Sequence, residues 1–207
     1  MYVKRSFFLH IAVAIAFFTS CAPTDKNRID KTLNTIQTAI EEDTVIVFKM
    51  KTLLSEAFPG RKNVEWSSFV MIDSLKQYAS DTEPFEGEDD FYKDYASILR
   101  WSADSNYVLD LNSYGLIPEK DERGDTHLTG GDPEVGVGLI DRRAGKRIRL
   151  FYMGPHGGIY DGLWIDSVNV AFIGKVEDFA GKDIKYDTLA WIYNRKDSIK
   201  KVYKFSP

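Results

Sequence analysis

One segment of the chain occurs twice, and this constrains the fold more than any other feature of the sequence. Arg100-Trp101-Ser102-Ala103-Asp104-Ser105-Asn106-Tyr107-Val108-Leu109 returns as Leu163-Trp164-Ile165-Asp166-Ser167-Val168-Asn169-Val170-Ala171-Phe172, with Trp and Asn both displaced by 63 positions. An apolar run, a polar turn and a second run follow each copy. The first set is Leu139-Ile140-Asp141-Arg142-Arg143-Ala144-Gly145-Lys146 leading into Ile148-Arg149-Leu150. The second is Trp191-Ile192-Tyr193-Asn194-Arg195-Lys196-Asp197-Ser198 leading into Lys201-Val202-Tyr203. A repeated unit of this size is a supersecondary module that buries its apolar face against a neighbour. From Ile98 onward the runs are short and separated by Gly, Asn, Asp and Ser, the pattern of antiparallel sheet with tight turns. Tyr107, Leu109 and Leu111 alternate with Asp110 and Asn112, which predicts one buried and one wet face.

The turn Trp101-Ser102-Ala103-Asp104-Ser105 and the later apolar-Asp strand entering a Gly hairpin resemble the TolB-type propeller repeat. The turn in that pattern reads Trp-Ser-Pro-Asp-Gly, so Ala103 stands for Pro and Ser105 for Gly, while Trp164-Ile165-Asp166-Ser167 matches more loosely. The resemblance covers about residues 96–207 and implies four antiparallel strands per unit, with no activity attached. A closed propeller uses about four or more blades. Two units are therefore expected to pack on each other as a sandwich or partial propeller, on the helices, or on another chain.

Ahead of the repeats the apolar spacing is helical. Ile29, Leu33, Ile36 and Ile40 follow an N-cap at Thr24, and Val47, Met50, Leu54 and Ala57 precede the stop at Phe58-Pro59-Gly60. A third helix is read from Val64 to Ala79 through Phe69, Ile72 and Leu75, and the acidic run Glu86 to Asp90 as a solvated linker. The expected fold class is α+β: N-terminal helices, then two four-stranded antiparallel blade-like β repeats. The expected divisions are residues 1–20, 21–95 and 96–207, with repeats over about 96–153 and 159–207. A helical front with a two-blade back is similar to a family of Gram-negative envelope lipoproteins.

Residues 1–20 have the layout of a secretory signal: Lys4 and Arg5, then 12 residues from Phe7 to Phe18, then Thr19 and Ser20. A membrane-crossing helix needs roughly 20 apolar residues, so removal is expected over retention. Phe17-Phe18-Thr19-Ser20-Cys21 resembles a lipobox, which implies that Cys21 is lipidated and becomes the first mature residue. As the chain's single cysteine it forms no internal disulfide. Ala22 after it is not acidic, which by analogy with lipoprotein sorting suits the outer membrane. Removing the signal takes two of the 27 basic residues and none of the 31 acidic ones, so 25 face 31 and the mature charge is −6. An acidic exported chain gives no reason to expect nucleic acid as a partner. The expected contacts are the membrane, through lipid on Cys21, and an envelope protein or glycan.

No Gly-x-Ser-x-Gly elbow, HExxH or phosphate-binding loop occurs, and no cofactor or metal is expected. Two sets of residues stand out. Arg142, Arg143, Arg147, Lys200 and Lys201, in or beside the two repeat hairpins, are candidates for docking to an anionic surface, against the plainer reading of protective charge on strand edges. His127, Asp132, His156 and Asp161, in the loops around 114–134 and 154–162, would be the centre of a small lipid-anchored enzyme or glycan-binding protein if they converge.

Overall fold

The computed structural model describes residues 44–59, 64–78, 81–155, 157–178 and 185–206. The signal segment, Cys21, the first expected helix and His156 lie outside them. With strands numbered in chain order, the first copy of the repeat forms β3 (Leu99–Trp101), β4 (Tyr107–Asp110), β7 (Val135–Asp141) and β8 (Lys146–Met153). The second forms β9 (Gly157–Trp164), β10 (Asn169–Asp178), β11 (Lys185–Asn194) and β12 (Ile199–Phe205). Each meander gains a fifth strand from the chain before it: β2 (Thr82–Pro84) pairs with β8, and β1 (Phe69–Lys76) pairs with β12. A small hairpin, β5 (Leu116–Lys120) with β6 (Thr126–Gly130), stands between β4 and β7.

This corrects the expected fold class. The described residues form two five-stranded antiparallel sheets and the small hairpin, not a helical region followed by four-stranded blades. The described residues contain two α-helices, α1 over 44–57 and the short α2 (Asp89–Asp94). The third expected helix is a 3-10 turn, Trp66–Ser68, followed by β1. Phe69, Ile72 and Leu75 mimic helical spacing because a bulge between Met71 and Asp73 breaks the strand's alternation. Pairing with β12, from Phe69↔Phe205 to Lys76↔Ile199, decides the conformation.

The wet face expected of each sheet is also absent over the central strands. Leu109, Leu139 and Leu150 of the first sheet meet Val170, Phe172, Trp191 and Tyr193 of the second in one core, where Phe172 and Trp191 stack at 5.0 Å. On the second sheet's other face, Ala171, Ile173, Ala190 and Ile192 pack under Met50, Leu53 and Leu54 of α1. On the first sheet's other face, Val108 and Ile140 pack with Phe85, Phe91, Tyr92 and Tyr95, a cluster that includes α2. The layers are thus helix, sheet, sheet, short helix. Val170 to Ile173 are fully buried because both of their faces are covered.

Two polar seams join the sheets. Arg100 Nη2 of β3 lies 2.7 Å from Asp161 Oδ1 of β9, and Trp164 Nε1 donates to the Arg100 carbonyl at 2.8 Å. Toward the other side of the sheets, one strand in from the edge strands β1 and β2, the Lys200 ammonium of β12 donates to the Leu150 carbonyl of β8 at 2.5 Å.

Candidate ligand cleft

Each repeat closes its turns with a carboxylate or amide accepting backbone N–H groups. Asp104 Oδ1 accepts from Ser102 Oγ (2.7 Å) and Asn106 N (3.1 Å), and Oδ2 accepts from Asn106 Nδ2 (2.5 Å). The Ser102 and then the Asn106 hydrogen bonds hold its carboxyl down to about 2. Asp166 repeats the lock on Val168 N, Asn169 N and Asn169 Nδ2, each at 2.7 Å. Between β7 and β8, Asp141 Oδ1 accepts from Arg143 N and Ala144 N, and Gly145 takes φ +58°. Between β11 and β12, Asn194 Oδ1 accepts from Lys196 N and Asp197 N, and Ser198 takes φ +56°.

In the first repeat these two turns are bolted together by Arg142. Its backbone N donates to the Asn106 carbonyl at 3.0 Å and its Nη1 to the Ser105 carbonyl at 3.1 Å. Its guanidinium lies 5.1 Å from the ring centres of both Tyr92 and Trp101, at cation–π distance. A third segment joins through Phe85 N, which donates to the Gly145 carbonyl at 2.9 Å. Phe85, Phe91 and Tyr92, packed on Leu99, Val108 and Ile140, anchor this segment to the sheet.

The three segments enclose a cleft of about 400 Å³. The carboxylates Glu86 and Asp89, the guanidiniums Arg142 and Arg143, and Tyr92 all line it, together with Ser105 and Asn106. The Glu86, Asp89 and Arg143 side chains take part in none of the ion pairs among the described residues. The acidic run expected to be a solvated linker contributes Glu86 and Asp89 to this lining while both stay exposed, and the aromatic residues Phe85, Phe91 and Tyr92 hold that segment on the sheet. A second gap beside Glu83, Tyr114 and Tyr152 measures about 20 Å³, room for about one water.

No family model, curated protein or solved structure matches this chain. What the cleft does has to be read from its own groups.

Of the five cations singled out from the sequence, Arg142 and Arg143 belong to the cleft. Arg147 is spent inside the protein: its Nη2 donates to Asp110, which is fully buried, and lies 3.1 Å from Ser113 Oγ. Lys200 is largely occluded, and burial lowers its ammonium's pKa below the usual lysine range. Lys201 is exposed on β12. These five do not make one positive edge, since Arg147 and Lys200 are engaged within the fold.

The histidine and aspartate set does not assemble among the described residues. His127 of β6 is exposed and 3.2 Å from Asp121 Oδ2 within its own hairpin. Asp132 caps its own loop by accepting from Glu134 N at 3.0 Å. Asp161 is committed to Arg100 at the inter-sheet seam. Among the described residues no three His, Cys, Asp or Glu side chains gather as a metal site.

The sequence reading missed Glu86, Asp89, Tyr92, Ser105 and Asn106 as a group. Its one usable signal was opposite charge, an acidic block and a basic hairpin. The cleft groups are suited to recognition. A guanidinium offers paired N–H donors to carboxylate or phosphate, carboxylates accept from ammonium or hydroxyl groups, and an aromatic ring supplies a flat apolar contact.

Proposed function

We propose that the chain is a lipid-anchored protein of the cell envelope, held at the outer membrane through Cys21. Its β domain acts as a non-enzymatic binding module for another envelope protein or glycan, and the cleft is where that component is held. The anchor rests on the signal layout and the lipobox-like run before Cys21. No helix among the described residues is long and apolar enough to cross a membrane.

The observation that carries the binding role is that two carboxylates, Glu86 and Asp89, and two guanidiniums, Arg142 and Arg143, line one cleft, with Glu86, Asp89 and Arg143 outside the ion pairs among the described residues. Groups of opposite sign that stay apart, on a scaffold fixed by turn locks and aromatic packing, need little rearrangement to receive a ligand. The cleft also falls in the usual size range of ligand pockets, about 300–1,000 Å³.

Two measurements test this. Cys21→Ala is expected to move the protein from the membrane to the soluble fraction after signal cleavage. Cross-linking in intact cells is expected to join the wild-type chain to an envelope component, with the adduct lost in Arg143→Ser/Asp89→Asn. A Cys21→Ala protein that stays membrane-bound after its signal is cleaved defeats the anchor, and an adduct indifferent to the double variant defeats the cleft.

A further inference from the structure

We propose that the cleft takes a zwitterion of the phosphoethanolamine class: a phosphate and an ammonium joined by a short spacer. The proposal rests on the reading of the cleft as the binding site and adds the chemistry of what enters it.

The argument is one of charge and geometry. Arg142 is not free to swing away, since Ser105 accepts from its Nη1 and the Tyr92 and Trp101 rings sit at cation–π distance. It therefore presents a fixed positive charge. Arg143 follows it on the same hairpin, its backbone N held by Asp141 while its side chain lines the cleft. Two guanidiniums lining one cleft match the charge and the several oxygens of a phosphate better than a single carboxylate.

The same cleft is lined by Glu86 and Asp89, whereas neighbouring Asp90 is taken by Lys93 at 3.4 Å. An anion alone would pair with the two guanidiniums and be repelled by these two carboxylates. A cation alone would meet the reverse. A ligand with both charges satisfies both pairs at once, and the Tyr92 ring in the same lining offers apolar contact to its spacer. Such a group occurs as a lipid headgroup or on a soluble molecule, and the chemistry at the cleft is the same.

The test is calorimetric titration of the mature lipidated chain in an uncharged sugar detergent. Glycerophosphoethanolamine is the probe, with glycerophosphoglycerol, ethanolamine and alanyl-alanine as comparisons. The zwitterionic phosphate is expected to bind, and the two single-charge probes to bind about tenfold more weakly or worse, the loss of one charge-assisted contact. Arg143→Ser is expected to weaken binding by a similar factor.

Asp89→Asn, with Glu86→Gln as a second variant should the first disturb α2, is expected to erase the preference for glycerophosphoethanolamine over glycerophosphoglycerol. A variant that merely loosened the fold would lower both together. Sedimentation of the signal-cleaved Cys21→Ala chain with phosphatidylethanolamine vesicles, competed by the soluble probe, assigns the source to a headgroup; calorimetric binding of the soluble probe without sedimentation assigns it to a soluble ligand.

Equal binding of glycerophosphoglycerol and glycerophosphoethanolamine, tighter binding of alanyl-alanine, or no binding of any probe overturns the proposal. Two further results separate it from the reading beneath it. If no zwitterion binds but the double cleft variant still loses its cross-linked component, the ligand class is wrong and the binding role stands. If the zwitterion binds but the adduct survives the double variant, the class stands and the role falls.

Discussion

Ser105 shows how closely a single residue can report on a turn. It takes φ +56°, a left-handed conformation that costs a side-chain-bearing residue about 1–2 kcal/mol and that glycine adopts freely. Its carbonyl, not its side chain, is what Arg142 uses. Ser105→Gly is expected to stabilise the protein by about 0.5 kcal/mol, the relief of strain less the extra freedom of glycine when unfolded, as read by chemical denaturation. Asp104 beside it has its carboxyl pKa lowered from 3.8 to about 2, first by Ser102 and then by Asn106. A depressed folded value means that the contribution is present above pH 3.8 and is lost as pH falls through about 2. Melting temperatures between pH 4.5 and 2 should therefore fall more steeply for the wild type than for Asp104→Asn, and parallel curves would show that the lock contributes nothing.

Among the elements, the most consequential polar group is Asp110 at the end of β4. It is fully buried, and it accepts from Arg147 Nη2, from Ser113 Oγ at 2.5 Å, and from the backbone N–H groups of Asn112 and Ser113. Gly138 makes this reach feasible, because a Cβ there would lie 2.6 Å from Arg147 Nε. Asp110 and Asn112 organise the chain after β4, with Asn112 Oδ1 accepting from Gly136 N at 2.9 Å. Asp110→Ala is expected to cost about 3–5 kcal/mol by leaving Arg147 nearly buried without its partner, measurable by urea unfolding.

The same scale shows what the sequence made legible. The displacement by 63 positions locates the Trp-containing turns before β4 and β10, and the polar hairpins at 141–145 and 194–198 fall where Asp141 and Asn194 place them. The β1 strand was hidden by its bulge, and β2 by its three residues ending in Pro84. The missing wet face could not be read from β4 or β10, because it depends on α1 and α2 covering surfaces from elsewhere in the chain.

On the scale of the whole molecule, the cleft is a product of topology. Residues 85–92, 105–106 and 142–145 are far apart in sequence, and they meet because β7 pairs with β4 while Gly145 receives the segment that follows β2. That is why Arg142 and Arg143 were visible as charge while the carboxylates that share their cleft were not recognised as part of a site. The working surface proposed for the protein is this cleft and not the exposed face of β12.

Replacing one residue at a time by a photo-reactive amino acid in intact cells distinguishes these surfaces. Position 88, exposed between the cleft residues Glu86 and Asp89, is predicted to yield a discrete adduct with an envelope component, abolished by Arg143→Ser, while position 201 yields none. An adduct at 201 without one at 88 would contradict this.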